Sequence, residues 1–395
     1  ENVPELLALA AQLCTKPALI PQALLHFERG ICAEDAFSAH GKRAFIMSHV
    51  LDMTGAPIVL VSAVPVLRSM GYEVLVLGPS DGGSLHLFLD AGASVITRSS
   101  CRNVSDAWGM ALCADFVIAN TVVMARAVRA LSGTAVPVLW WLHDAFAGYP
   151  HIAHQTPTQL GENVRIYSVG SHAANAMRAV RPEFEIRPLI YGLPDYAAEN
   201  FVRTDLGYNR GRPLFATVGS FERRKGHDIF CKAIRLLPPE VREKASFLFV
   251  GQAADKEMMD SVRALTADYP ENVYYCKRLT RDEIKSLMEQ CTGLVCASRD
   301  DPMPTFVTEG LIFGKPSIVS EHTGTAGLIS EGRNGIVYHN DDPQQLAVLL
   351  EHAIEHPEEL ASMRTECRKM YEQYYSKEAF EQTLRAAVED LTAKK

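Results

Sequence analysis

The chain has 395 residues, 47% of them apolar, and a formal charge of −8 at pH 7. At roughly 100–200 residues per domain that length suits two domains or three, each able to bury its own core. Mild acidity argues against a nucleic-acid footprint, which needs a clustered basic face, and no apolar run reaches the ~18 residues of a membrane-spanning helix.

The first forty residues read as helical, with Pro17 and Pro21 interrupting them. The chain begins at Glu1 with neither a methionine nor a signal-peptide pattern, so it is expected to be a piece of something longer or a trimmed form. From Arg43 onward, short β-branched runs alternate with amphipathic stretches. "AFIMSH" leads into "GAPIVLVSAVPVLRSMG" and "EVLVLGPS", and then come "ASVIT", "DFVIANT", "VPVLWWLHD" and "VRIYSVGS". Near-continuous apolar strands separated by helices predict a parallel sheet covered on both faces, with right-handed crossovers. The period lapses over about 187–213, which holds three prolines and three glycines and reads as a linker. The alternation then resumes with "LFATVGS", "ASFLFVGQ", "NVYYCKR", "GLVCASRD", "KPSIVSE" and "NGIVYHN". The fold class expected is therefore α/β, two doubly wound Rossmann-like domains in succession, with a cleft between them. The tail from Ser362 is helical by composition. Nine cysteines (Cys14, Cys32, Cys101, Cys113, Cys231, Cys276, Cys291, Cys296 and Cys367) show no metal-ligand spacing and suit reduced, cytosolic core thiols.

Three stretches carry chemistry. In "VGSFERRKGHD", Gly219 ends a strand, and Arg223, Arg224 and Lys225 precede a helix expected to start after Gly226. Such a turn presents N–H groups and cations to a diphosphate; the plainer alternative is a solvated charge run. In "LTRDEIKSLMEQC", Thr280 and Glu283 stand at capping-box spacing. The loop Lys277, Arg278, Leu279 just before them lies at a strand carboxyl end, where backbone groups could read a base. In "DDPMPTFVTEG", Pro302 and Pro304 stiffen a loop and a helix follows, ending at Gly314. Asp301 precedes that helix and Glu309 lies within it. Two carboxylates there suit the paired hydroxyls of a sugar or ribose, whereas the alternative is an N-capping Asp and a chance surface Glu. Because its flanks are apolar, Glu309 is expected to have a partner. His143 beside Asp144 ends a strand, as ligand contact or as structural pair. His49 and Asp52 either touch a ligand or shape their turn, and Trp140 and Trp141 read as core.

These residues carry a resemblance. "DDPMPTFVTEGLIFGKPSIVS" resembles the acid-x7-acid signature of family 4 retaining glycosyltransferases, the glycosyl transferase group 1 type. "VGSFERRKGHD" is similar to their donor loop, "EHTGTAGLISEGRNGIVY" to their Gly-rich turn and closing strand, "SHVLDMTGAPIVLVSAVPVLRSMGYEVLVLGP" to their opening βαβ unit, and "WWLHD" to the strand ending in a histidine near the sugar. The likeness covers roughly residues 43–390 and is most specific over 214–338.

The resemblance implies a GT-B fold. Residues 1–195 would form the acceptor-side domain, with 1–40 a helical extension. Residues 196–369 would bind the donor, and 370–395 would be a helix returning toward the first domain. It assigns Lys225 to the donor diphosphate, Glu309 to the nucleotide ribose, and Asp301, in place of the usual glutamate, to the sugar hydroxyls. Pro304, Thr305, Phe306 and Val307 would lie against sugar and phosphate, His143 against the transferred sugar, and Gly55 against the diphosphate. Ser220 stands where many relatives have arginine, and Arg224 is the candidate to replace that charge.

The implied activity is metal-independent, retaining hexosyl transfer from a UDP- or GDP-sugar to a hydroxyl of a glycan, lipid-linked or protein-linked acceptor, as in polysaccharide biosynthesis. No D-x-D occurs in the chain; no cofactor is implied beyond the nucleotide-sugar co-substrate, and no nucleic-acid partner. Two rivals stay open: a nucleotide-sugar epimerase on the same scaffold, and a non-catalytic subunit partnering a true transferase. A phosphorylase is disfavoured by chain length. A cytoplasmic location is expected, with peripheral attachment at the inner membrane face or a protein partner left open, as is membership of a longer multidomain chain.

Overall fold

The computed structural model describes residues 41–80, 82–97, 109–339 and 341–393; the expected extension over 1–40 lies outside them. The chain divides into two compact units. One comprises residues up to Val169 with Ala173–Gly192 and Lys377–Lys395; the other comprises Gly170–His172 and Leu193–Ser376.

The first unit is built from β1 (Lys42–Met47), α1 (Gly55–Ser69), β2 (Tyr72–Gly78), α2 (Leu85–Asp90), β3 (Ser94–Thr97), β4 (Phe116–Asn120), α3 (Ala125–Leu131), β5 (Val138–Leu142), β6 (Val164–Ser168), α4 (Ser171–Arg178) and β7 (Ile186–Pro188). Its seven strands run in the order β3-β2-β1-β4-β5-β6-β7, every pair parallel. Central strands are buried along their whole length, as β4 and β5 are, because helices cover both sheet faces. Trp140 and Trp141 are wholly buried core residues. Their indole N–H groups donate to the carbonyls of Thr121 (2.8 Å) and Leu189 (2.9 Å), which removes the cost of an unpaired buried donor.

The second unit follows with β8 (Leu214–Val218), α5 (His227–Leu236), α6 (Pro239–Arg242), β9 (Ser246–Val250), α7 (Lys256–Asp268), β10 (Val273–Cys276), α8 (Arg281–Gln290), β11 (Gly293–Cys296), α9 (Thr305–Ile312), β12 (Ser317–Ser320), β13 (Ile336–Tyr338), α10 (Pro343–Glu355), α11 (Pro357–Ser362) and α12 (Arg364–Met370). Its order, β10-β9-β8-β11-β12-β13, repeats the winding of the first unit. Amphipathic spacing drives the helices onto the sheet. In α5 the buried set is His227, Ile229, Phe230, Cys231, Ala233 and Ile234, one face of a 3.6-residue period.

Two expectations are corrected. The stretch taken as linker from residue 187 overlaps β7, a short edge strand that pairs with β6. The tail expected as one helix over 370–395 is interrupted. After Tyr371–Tyr375 the chain is extended at Ser376, and α13 (Lys377–Thr392) starts afresh. The Tyr375 carbonyl accepts the Leu193 N–H at 2.8 Å, so that acceptor is taken out of the helical ladder. α13 groups with the first unit, where Phe380 stacks on Trp141 with ring centroids 5.7 Å apart. Among the described residues no helix is long and apolar enough to cross a membrane.

Candidate donor site at the sheet switch points

In an open parallel sheet, the two strands at which the winding reverses send their connections to opposite faces. That leaves a crevice beyond their carboxyl ends. In the second unit those strands are β8 and β11, and most of the residues singled out from the sequence lie there.

The loop after β8 and the loop after β11 are fastened together. The Arg224 carbonyl accepts the Arg299 N–H at 2.7 Å and the Asp300 N–H at 3.3 Å. The Arg299 guanidinium donates to the Arg223 carbonyl (2.9 Å) and, through both terminal nitrogens, to Asp228 on α5 (2.8 and 2.9 Å). Gly226 makes this closeness possible: it is left-handed (φ 67°), and a Cβ there would sit 1.8 Å from the Ala297 carbonyl oxygen. The clamp sets Lys225 Nζ 2.5 Å from Asp301 Oδ2. Asp301 is 3% exposed, and its backbone is held from the next loop, donating to the His322 carbonyl (3.1 Å) and accepting from Gly324 (2.9 Å). A Cβ on Gly324 would meet the Pro302 carbonyl oxygen at 1.7 Å.

Ser220 and Arg224 meet on one acid that the sequence reading passed over. The Ser220 hydroxyl donates to Glu222, and Arg224 Nε donates to the same carboxylate at 2.7 Å. Burial acts to raise the Glu222 pKa, but the Ser220 hydroxyl and Arg224 outweigh it and hold the acid below its usual range.

α9 begins after Pro304, which as a proline has no side-chain acceptor with which to cap it. Phe306, Val307 and Glu309 on it are buried and Thr305 is exposed. Glu309 has the partner its apolar flanks called for: Arg281 Nη1 donates to Oε1 at 2.7 Å. Burial pushes the Glu309 pKa up, against the pull of Arg281. Arg281 is the first residue of α8, whose start is locked by the expected capping box. Glu283 N–H donates to Thr280 Oγ1 (3.3 Å), and Thr280 N–H donates to Glu283 Oε2 (2.6 Å). Lys277 and Arg278, exposed, and Leu279, half-buried, follow β10 at the end of the sheet, two strands away from β8.

Gly55 and His143 belong to the first unit, whose switch-point strands are β1 and β4. Gly55 is the first residue of α1, and among the described residues no atom outside its neighbours would meet a Cβ there within 4 Å. Asp52 shapes the preceding turn, its Oδ1 accepting the Thr54 N–H at 3.0 Å. His143, half-buried as a residue, has an enclosed Nε2 with no hydrogen-bond partner among the described residues. Burial, with His49 adding to it, pushes its pKa down to about 3, so the ring is neutral at pH 7. Its neighbour Asp144 instead accepts the Val122 N–H at 2.6 Å, and burial raises its pKa to about 6. At the end of β4, wholly buried Asn120 leaves both side-chain amide atoms without a partner among the described residues, as Thr121 leaves its hydroxyl. Thr121 also has φ 71°, a costly conformation for a β-branched residue. No spacing rule singles out Asn120 or Arg281. Arg281 acquires its meaning from Glu309, distant in sequence.

Two family descriptions match this chain: Glycosyl-transferase family 4 over residues 40–181 and Glycosyl transferases group 1 over residues 199–370. The chain thus carries one domain of each description. Its first unit carries the family 4 domain and its second the group 1 domain. An uncharacterized glycosyltransferase of Methanocaldococcus jannaschii is 25% identical over 194 residues, 49% of this chain and 53% of that protein. Spore coat protein SA of Bacillus subtilis is 26% identical over 160 residues, 38% and 41% of the two chains. The match thus spans about half the length of these relatives or less. Among solved structures, Anabaena HepE in complex with UDP superposes with a TM-score of 0.70 at 17% identity, covering 88% of this chain and 100% of that one. That likeness places the chain in the GT-B fold.

Proposed function

We propose that the protein transfers a sugar from a UDP- or GDP-sugar to a hydroxyl of a glycan, lipid-linked or protein-linked acceptor, with retention at the anomeric carbon. The observation that carries this reading is the pairing of Lys225 with buried Asp301 at the β8–β11 switch point, beside the amino end of α9. An ammonium has three donors, and Asp301 takes one at 2.5 Å. The others remain for a diphosphate, whose charge the α9 amino end also favours.

In this reading Lys225 and Arg224 neutralise the leaving diphosphate without a catalytic metal ion. Glu309 accepts the ribose hydroxyls, and Asp301 those of the sugar. Backbone groups of Lys277–Leu279 meet the base, and neutral His143 bonds a hydroxyl of the transferred sugar. The bond from the anomeric carbon to the phosphate oxygen breaks as the acceptor oxygen bonds on the same face, and the acceptor proton passes to the leaving phosphate. Matches of the HepE–UDP complex and of both family domains support the assignment of the donor class.

A thermal-shift panel of UDP-, GDP- and ADP-sugars tests it. One nucleotide series is expected to raise the melting temperature in a concentration-dependent way, and Glu309→Ala to abolish the rise. An undiminished rise in that variant removes Glu309 from the site. A product of opposite anomeric configuration refutes retention.

A further inference from the structure

The ribose assignment of Glu309 leaves a physical problem. A carboxylate this buried must be held charged and aimed before a nucleotide arrives, or binding must supply the cost of ordering it. Its ion pair is with Arg281, 28 residues earlier in sequence on a different helix. We propose that Arg281 is a positioning residue: it orients Glu309 for the nucleotide ribose and thereby sets the preference for ribonucleotides over deoxyribonucleotides. This inference rests on the reading of Glu309 given above.

Three features fit Arg281 to that role. Its backbone is the first residue of a helix whose start is fixed by a reciprocal cap, directly after the loop assigned to the base. Its guanidinium lies over the Tyr196 ring, 4.1 Å from the centroid, a cation–π contact to which arginine is better suited than lysine. The neighbouring cation does not compete for Glu309, because Lys285 Nζ is bonded to Glu199 at 2.8 Å. Stack and ion pair together hold a side chain that is otherwise 48% exposed. Base loop, guanidinium and ribose acid thus form one connected unit.

The test measures binding of UDP and GDP, and of their 2′-deoxy and 3′-deoxy counterparts, by calorimetry on the intact chain and its variants. A hydrogen bond to a charged acceptor is worth roughly tenfold or more in affinity, so the wild type is expected to prefer the ribonucleotide by about that factor. Arg281→Ala is expected to lose most of this preference, weakening the ribonucleotide while leaving the deoxy forms nearly unchanged, and Arg281→Lys to restore part of it. Adding Arg281→Ala to Glu309→Ala is expected to change nothing further. If the wild type discriminates and Arg281→Ala discriminates equally, the inference is overturned and the ribose assignment stands. If the wild type binds ribo and deoxy forms alike, or binds neither UDP nor GDP, the ribose assignment falls and takes the inference with it. A melting curve without nucleotide separates misfolding of Arg281→Ala from either result.

Discussion

Replacing Lys225 by methionine keeps the stem and removes the charge, leaving Asp301 without its ion-pair partner in a site where its side chain is 4% exposed. At 2.5 Å and an effective dielectric constant of about 20, the lost attraction is about 7 kcal/mol, much of it offset by the desolvation that the pair itself suffers. Measured costs of orphaning one partner of a buried pair are about 3–5 kcal/mol. Asp301 retains the Met303 N–H at 3.3 Å, so the low end applies, about 3 kcal/mol. For a unit of this size that lowers Tm by about 6–12 °C. The reciprocal change, Asp301→Asn, is expected to cost only about 1 kcal/mol, because the orphaned lysine is 18% exposed and can extend its ammonium to water. All three tryptophans, Trp108, Trp140 and Trp141, precede the second unit. Scanning calorimetry without nucleotide is therefore the suitable assay rather than fluorescence. Equal costs for the two substitutions, or a cost below about 1 kcal/mol for Lys225→Met, would refute the buried-pair reasoning.

Three further outcomes are expected. Gly226→Ala combines a left-handed backbone with a clash against the Ala297 carbonyl, so it should cost about 2 kcal/mol or more and abolish the nucleotide-dependent thermal shift; a shift of wild-type size would show that the loop clamp is dispensable. His227 is 2% exposed, and burial, with Lys225 adding to it, pushes its pKa down to about 3. The unfolded chain binds this proton near pH 6.5 and the native one only near pH 3, so stability from this group is lost as pH falls through that window. His227→Phe should flatten the decline of Tm between pH 7 and pH 4, and an unchanged slope would contradict the shift. Asn120→Ala should move Tm by no more than a degree or two, since neither end of its amide is bonded among the described residues; a loss above about 2 kcal/mol would mean that the amide does make a bond.

Much of the local structure around the candidate site was legible because its determinants are local. The capping box at Thr280, the helix stop at Gly314 and the βα turn at Gly219–Gly226 are each decided by a few adjacent residues, whose backbone preferences act wherever the chain is placed. The same locality misled at the tail. Residues 370–395 have helical composition throughout, yet the Leu193 N–H claims the Tyr375 carbonyl and the helix stops. The short strand β7 was hidden for a related reason: three residues carry too little period to be seen, and their pairing with β6 is what makes them a strand.

Alternation of apolar strands with amphipathic helices by itself determined two parallel, doubly wound sheets, because period and burial pattern leave no other way to cover both faces. Which charges meet was decided only by tertiary structure. Lys225 finds Asp301, and Arg281 crosses to Glu309. Coulomb forces and hydrogen bonds act over a few ångströms of space and are indifferent to separation along the chain, so such partners exist only once the strands are ordered.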